Sequence, residues 1–284
     1  MKQGELINEG SKRLFDCDVP DYRTDAELLW QYVSGKDMAH MILDADMEAD
    51  YDLADRYMAL IEKRCTRYPL QYITGTQNFM GYDFATSENV LIPRQDTETL
   101  VCQALDILAQ MRQKVVPGQV IRVLDLCCGT GCIGLSIKLA HPDIELTLAD
   151  ISDAAIDLAG QNADTYHIDC NIIQSDLFQN IDYGYDMIVS NPPYIRSAVI
   201  DGLMPEVRDF EPRLALDGAD DGLLYYRKII KEAGEFLKNG GYLLFEIGND
   251  QASEVLQLLV DAHFTAYGCI RDLSGNDRVV IAGL

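Results

Sequence analysis

Apolar residues recur at helical spacing through residues 1 to about 72, as in "AELLWQYV" and "YDLADRYMALIEKR", with Pro20 and Gly35 as breaks. This pattern predicts a small helical bundle, residues 1–72. The next stretch, "YITGTQNFMGYDFATSENVLIP", mixes aromatic and β-branched residues with Gly75, Gly81 and Asn89, which predicts a hairpin connecting two domains over residues 73–94. From Gln95 the period changes again. A helix over "DTETLVCQALDILAQM" leads into the short apolar runs "VIRVLDL", "IELTLAD", "CNIIQSD", "YDMIVSN" and "GGYLLFEIG", which alternate with helical stretches such as "ISDAAIDLAGQNA" and "LYYRKIIKEAGEFL". Such alternation predicts an α/β domain over residues 95–284, a parallel sheet covered on both faces. The final "TAYGCIRDLSGNDRVVIAGL" reads as two further strands joined by a turn at "SGND".

The length of 284 residues suits one large domain and one small one. No run approaches the ~18 apolar residues of a membrane span, and the polar, acidic start is not a signal peptide, so a cytoplasmic protein is expected. The net charge of -23 changes the picture most, because gripping a nucleic-acid backbone calls for a basic face. A basic protein partner fits it better. Eight cysteines without a secretion signal read as reduced packing residues. Cys127, Cys128 and Cys132 lie close together, but their spacing is not that of a zinc site, and no metal is expected.

In "VLDLCCGTGCIGLSI" a strand, a turn and a helix follow one another, and Gly129, Gly131 and Gly134 satisfy GxGxxG. Glycines there let a ligand approach the backbone, and the N–H groups of the helix start suit an anion. Asp150 ends the next strand about twenty residues on, where a carboxylate can take both hydroxyls of a ribose. These features fit NAD and S-adenosylmethionine alike. Asp125, just before the glycines, is placed to orient the loop or meet a cationic amino group, and Asp176, after the third strand of the domain, to accept from an adenine amino group. Taken singly, each is an ordinary cap or turn aspartate. Three at successive strand ends point to a site.

The run "SNPPYI" carries the chemistry. Proline lacks an N–H and holds its predecessor extended, so Asn191 and Pro192 project their carbonyls at the carboxyl edge of the sheet, with Pro193 stiffening the turn. The Asn191 side-chain oxygen and the Pro192 carbonyl form two acceptors for one planar NH2 group, with Tyr194 packed against its face. A planar nitrogen is a poor nucleophile. Fixing both N–H bonds turns its lone pair toward a methyl-sulfonium carbon, and such positioning supplies roughly 7–11 kcal/mol of a barrier in the best cases.

These motifs resemble the (D/N)PP(Y/F) amino-methyltransferases, and within them the HemK-type glutamine-N5 methyltransferases of peptide chain release factors. The resemblance covers nearly the whole chain, through "PLQYITGTQNFMGYDF", "VLIPRQDTETLV", "SNPPYI", "FEPRLALDGADDGLLYYRKI" and "RDLSGNDRVVIAG". It implies a class I S-adenosylmethionine-dependent methyltransferase domain, a Rossmann-like seven-stranded sheet, behind a helical domain that binds the release factor. It implies that Cys127, Cys128, Gly129, Thr130 and Gly131, with Asp150, Leu177 and Asn191, bind S-adenosylmethionine, whose product is S-adenosylhomocysteine. Asn191, Pro192, Pro193 and Tyr194 would hold the glutamine of a Gly-Gly-Gln motif. Cys127 and Cys128 stand where the family usually has glycine and a small polar residue, and Gln95 replaces the proline of "IPRP". A nucleic-acid amino-methyltransferase would use the same two acceptors on a flipped base, but the acidity opposes it. An interaction protein without turnover would not need the intact Asn191 to Tyr194 run.

Overall fold

The computed structural model describes residues 1–113 and 119–284. The chain forms two compact units, residues 1–76 with 204–210, and residues 77–203 with 211–284.

The first unit is built from helices Gln3–Asp16, Tyr22–Ser34, Met38–Leu43, Tyr51–Cys65 and Leu70–Thr74. Their ends follow from local chemistry: the Asp50 carboxylate accepts from the N–H groups of Asp52 and Leu53, and Gly35 closes its helix at φ 67°. Leu14, Leu29, Trp30, Tyr57 and Ile61 make the core. Trp30 meets Tyr57 edge-to-face at 5.5 Å, a contact worth about 0.5–1.5 kcal/mol beyond burial. A Cβ on Gly10 would lie 2.2 Å from the Tyr57 hydroxyl, so only glycine lets these helices meet. The one-turn helix Pro205–Phe210 joins this unit through charge. Buried Arg64 donates to Asp25 at 2.7 Å and to Glu206 at 2.9 Å, and Arg67 donates to both oxygens of Glu206. Removing one partner would strand a buried charge, a loss of about 3–5 kcal/mol.

The hairpin starts later than the sequence pattern suggests, because Pro69 and Gly75 bracket a helical turn over "LQYIT". Strands β1 (Thr76–Phe79) and β2 (Tyr82–Ala85) turn at Met80 and Gly81, both at positive φ, as a two-residue hairpin turn requires. Phe79 and Phe84 are fully buried in the core of the second unit, so the hairpin is part of that unit.

The second unit is organised by a seven-stranded sheet of β3 (Arg122–Leu126), β4 (Glu145–Asp150), β5 (Asn171–Gln174), β6 (Tyr185–Ser190), β7 (Leu237–Glu246), β8 (Thr265–Arg271) and β9 (Asp277–Gly283). Its order is β5-β4-β3-β6-β7-β9-β8; the first five run parallel, and β9 is antiparallel to both β7 and β8. Successive residues feed opposite faces: Met187 and Val189 join one apolar cluster and Ile188 the other. Both faces are covered, which is why β6 reads as an unbroken apolar run. From β3 the chain passes to β4 on one side, while β6 lies on the other. That reversal opens a crevice beyond the carboxyl ends of β3 and β6. Among the described residues no helix is long and apolar enough to cross a membrane.

Candidate active site

A cavity of about 210 Å³ occupies this crevice. Its walls come from the loop after β3 (Cys127, Cys128, Gly129 and Thr130), from Asp150, from Asp176 and Leu177, and from Asn191 and Pro193, with Arg94, Thr97, Leu214 and Tyr225 closing it. Most of the residues predicted at separate strand ends therefore meet in one place. Asp125, Gly131, Pro192 and Tyr194 adjoin these residues in sequence or space without lining the cavity themselves.

The glycine loop is fixed by short-range bonds. Gly129 N–H donates to Asp150 Oδ2 at 2.9 Å, Cys128 N–H to the Ala149 carbonyl, and Gly131 N–H to the Cys128 carbonyl. A Cβ on Gly134 would come within 2.5 Å of Leu148, so this glycine serves the packing of helix Cys132–Ala140 on the sheet. A Cβ on Gly129 would meet only Val90, at 3.7 Å, which leaves space for a ligand against the backbone. Buried Asn162 ties the loop to the hairpin, donating to the Thr130 carbonyl and accepting from Ala85 N–H.

Cys127 adopts φ 62°, in the left-handed region, where a side chain costs about 1–2 kcal/mol relative to glycine. The loop holds cysteine in this conformation. Burial, with the charge of Asp150 nearby, raises the pKa of the Cys127 thiol. Cys128 and Cys132 are buried in the apolar core, and the described residues contain no group of side chains arranged to hold a metal.

Asp125 is fully buried and accepts from Gly134 N–H at 2.8 Å, while its Oδ1 has no hydrogen-bond partner among the described residues. Burial pushes its carboxyl up to about 7. It orients the helix that carries the loop. Asp150 takes one backbone donor on each oxygen, Gly129 on Oδ2 and Ser152 on Oδ1, and each oxygen retains a lone pair for a hydroxyl. Burial raises the Asp150 pKa against these bonds. Asp176 is exposed at the far rim, and Leu177 lies buried at φ 50° beside it. The donor set, a diol-ready carboxylate beside apolar walls and a side-chain-free backbone, fits S-adenosylmethionine.

At the other end, Asn191 Nδ2 donates to Thr97 Oγ1 at 3.4 Å, which turns its Oδ1 away from that partner. The Tyr194 ring is not in the wall, and its hydroxyl donates inward to Glu246 Oε1 at 3.2 Å. Sequence reasoning missed the residues that brace this segment. Buried Gln251 donates from Nε2 to the Tyr194 carbonyl at 3.0 Å, and Ile195 pairs with the backbone near Asp217. A Cβ on Gly218 would lie 2.8 Å from Tyr194 Cα, and one on Gly222 2.4 Å from the Tyr194 carbonyl oxygen, so "LDGADDG" keeps glycine where the backbones touch. Arg94 donates to buried Glu211 at 2.5 Å, holding the "FEPR" stretch against the cavity.

Residues 5–75 match the family described as PrmC N-terminal domain, and residues 102–204 match the Methyltransferase small domain. A release factor glutamine methyltransferase of Clostridium botulinum is 36% identical over 283 residues, covering 98% of each chain. One from Clostridium acetobutylicum is 38% identical over 287 residues, covering 99% of this chain and 98% of its own. The chain belongs to the release factor glutamine methyltransferase family. A methyltransferase from Pyrococcus furiosus, 13% identical with a TM-score of 0.50 over 72% of this chain and 89% of its own, shares the fold alone. In this chain Cys127 takes a left-handed loop position, and Gln95 opens the short turn of helix leading to Thr97.

Proposed function

We infer that this chain methylates the side-chain amide nitrogen of the glutamine in the Gly-Gly-Gln motif of peptide chain release factors. The observation that carries the reading is the joining, in one cavity, of the Gly129–Asp150 cradle and the Asn191 amide. S-adenosylmethionine supplies the methyl group on its sulfonium and leaves as S-adenosylhomocysteine.

Asp150 receives the ribose hydroxyls, and the side-chain-free backbone at Gly129 lets the cofactor lie close against the loop. Leu177 and Asp176 line the base end. Asn191 Oδ1 and the Pro192 carbonyl accept the two amide N–H bonds of the substrate, so that the nitrogen lone pair faces the methyl carbon. A C–N bond forms as the C–S bond breaks, and the extra amide proton passes to water. Positioning does most of this, so no strong base is required.

The helical unit is assigned to holding the factor. Ile42, Leu43 and Tyr51 are 67%, 77% and 83% exposed among Asp37, Asp44, Asp46 and Asp50, a surface that suits a partner with basic and apolar character. A substrate of the translation machinery supports a cytoplasmic location. The test is labelling with radioactive S-adenosylmethionine of an intact release factor, a Gly-Gly-Gln peptide, DNA and ribosomal RNA. Label is expected in the factor, far less in the peptide because remote contacts are lost, and none in nucleic acid. Label in DNA or RNA with none in the factor would overturn the reading.

A further inference from the structure

Two buried carboxylates of the second unit each hold an arginine, and they hold them differently. Arg278, 11% exposed in its side chain, donates to Asp272, to Asp96 and to the Ile247 carbonyl, so its fork is fully engaged in bracing the turn before β9. Arg94 is held at one corner only. Its Nη2 donates to Glu211, whose side chain is 1% exposed, while the Arg94 side chain keeps 38% of its surface and the residue lines the cavity. A guanidinium carries five N–H donors and no acceptor, so most of its donors are without a partner among the described residues.

The backbone places this cation at the acceptor end. The Arg94 carbonyl accepts from Thr97 N–H at 3.1 Å, and Thr97 Oγ1 accepts from Asn191 Nδ2 at 3.4 Å. Two hydrogen bonds therefore link Arg94 to the side chain that meets the substrate nitrogen, whereas the Gly129–Asp150 cradle forms the other end. A peptide entering here brings backbone carbonyls out of water, and each then needs a donor. In Gly-Gly-Gln the two residues before the glutamine have no side chain, so a planar fork can approach their carbonyls with no Cβ in the way. The glutamine amide uses its own N–H bonds on Asn191 and Pro192. Arg94 has the donors that the backbone lacks.

We propose that Arg94 is a substrate-binding residue, donating to a backbone carbonyl of the Gly-Gly segment and so fixing the peptide from which the glutamine side chain reaches Asn191. The proposal rests on the transfer reaction inferred above.

Arg94→Met keeps much of the length and removes the donors. With an intact release factor, kcat/KM should fall roughly tenfold or more, as for loss of a bond from a charged donor, while S-adenosylmethionine affinity from calorimetry stays within about twofold. A full rate would overturn the role, as would a matching loss of cofactor affinity, the outcome if the guanidinium held the cofactor carboxylate instead. Two Gly-Gly-Gln peptides, each with one glycine carbonyl removed by an alkene in place of the peptide bond, separate binding from bracing. On one of them the parent should lose about what Arg94→Met loses on the ordinary peptide, and the variant should lose little more. Losses that add on both peptides would mean that Arg94 only braces Glu211. If the methionine variant does not fold, Arg94→Lys, which keeps a charge for Glu211, takes its place in the same cycle. A parent enzyme that labels no release factor removes the reaction on which the proposal stands. A parent that labels it, with an Arg94→Met enzyme that keeps pace, removes Arg94 alone.

Discussion

The two ends of the cavity are built in different ways. At the glycine loop, the decisive bonds join residues close in sequence: Asp125 and Gly134 are 9 apart, and Gly129 and Asp150 are 21 apart. At the Asn191 to Tyr194 segment the partners are distant, with Glu246 52, Gln251 57 and Thr97 94 positions away. The first end is a strand-turn-helix unit that carries its own instructions. The second is a stiff peptide clamped by three separate parts of the chain, around Thr97, Asp217 and Glu246 to Gln251. A local lesson follows for function: the cofactor end can be altered one residue at a time, whereas the acceptor end moves as a unit.

The largest effect should come from the acceptor end. Asn191→Ala should lower single-turnover transfer to a release factor by roughly a hundredfold or more, with much smaller change in S-adenosylmethionine affinity, because the acceptor chiefly aims the substrate nitrogen. A rate within a few fold of the parent would break the contrast between the two ends. Asp150→Ala should do the reverse. Loss of charge-assisted bonds worth about 1.5–3 kcal/mol should weaken cofactor binding on calorimetric titration, while transfer at saturation changes little. Equal damage to affinity and rate would show that the ends are not separable.

A pH experiment sharpens the same contrast through stability. The Asp125 carboxyl, raised by burial to about 7 in the folded chain from an unfolded value of 3.8, binds its proton more tightly when folded. Its contribution is therefore complete below the unfolded pKa and is lost as pH rises toward 7. Melting temperature should fall more steeply for the parent than for Asp125→Asn across that window, and parallel curves would contradict the burial argument. Smallest is Cys127→Gly, which relieves the left-handed residue and should raise stability by about 1 kcal/mol, read in a denaturant titration. A loss of stability would mean that thiol packing outweighs the backbone term.

The same division decided what could be read from sequence. Strand-helix alternation revealed the sheet, and the spacing of Gly129, Gly131 and Asp150 revealed the loop and the carboxylate that meet at one end of the cavity, because both are written in local periodicity. Helix Leu70–Thr74 was hidden, since "YIT" has β-forming residues and only Pro69 and Gly75 mark the turn. For Asp125 the sequence left two roles open, orienting the loop or meeting an amino group, and its carboxylate faces the helix that carries the loop. Tyr194 was expected against the substrate, yet its hydroxyl turns inward to Glu246. Neither orientation is encoded near the residue itself. Gly218, Gly222 and Gln251 carried a signal only in hindsight, in the glycines of "LDGADDG" and the polar "GNDQ" turn after β7.

The placement of the methyl group itself tests the account most directly. An intact release factor incubated with the enzyme and S-adenosylmethionine, then digested and fragmented in a mass spectrometer, should carry one added methyl group on the side chain of the Gly-Gly-Gln glutamine. A factor with that glutamine replaced by glutamate should carry none, because a carboxylate offers no N–H to Asn191 Oδ1. A methyl group found on another residue, or on the glutamate factor to the same extent, would contradict the account.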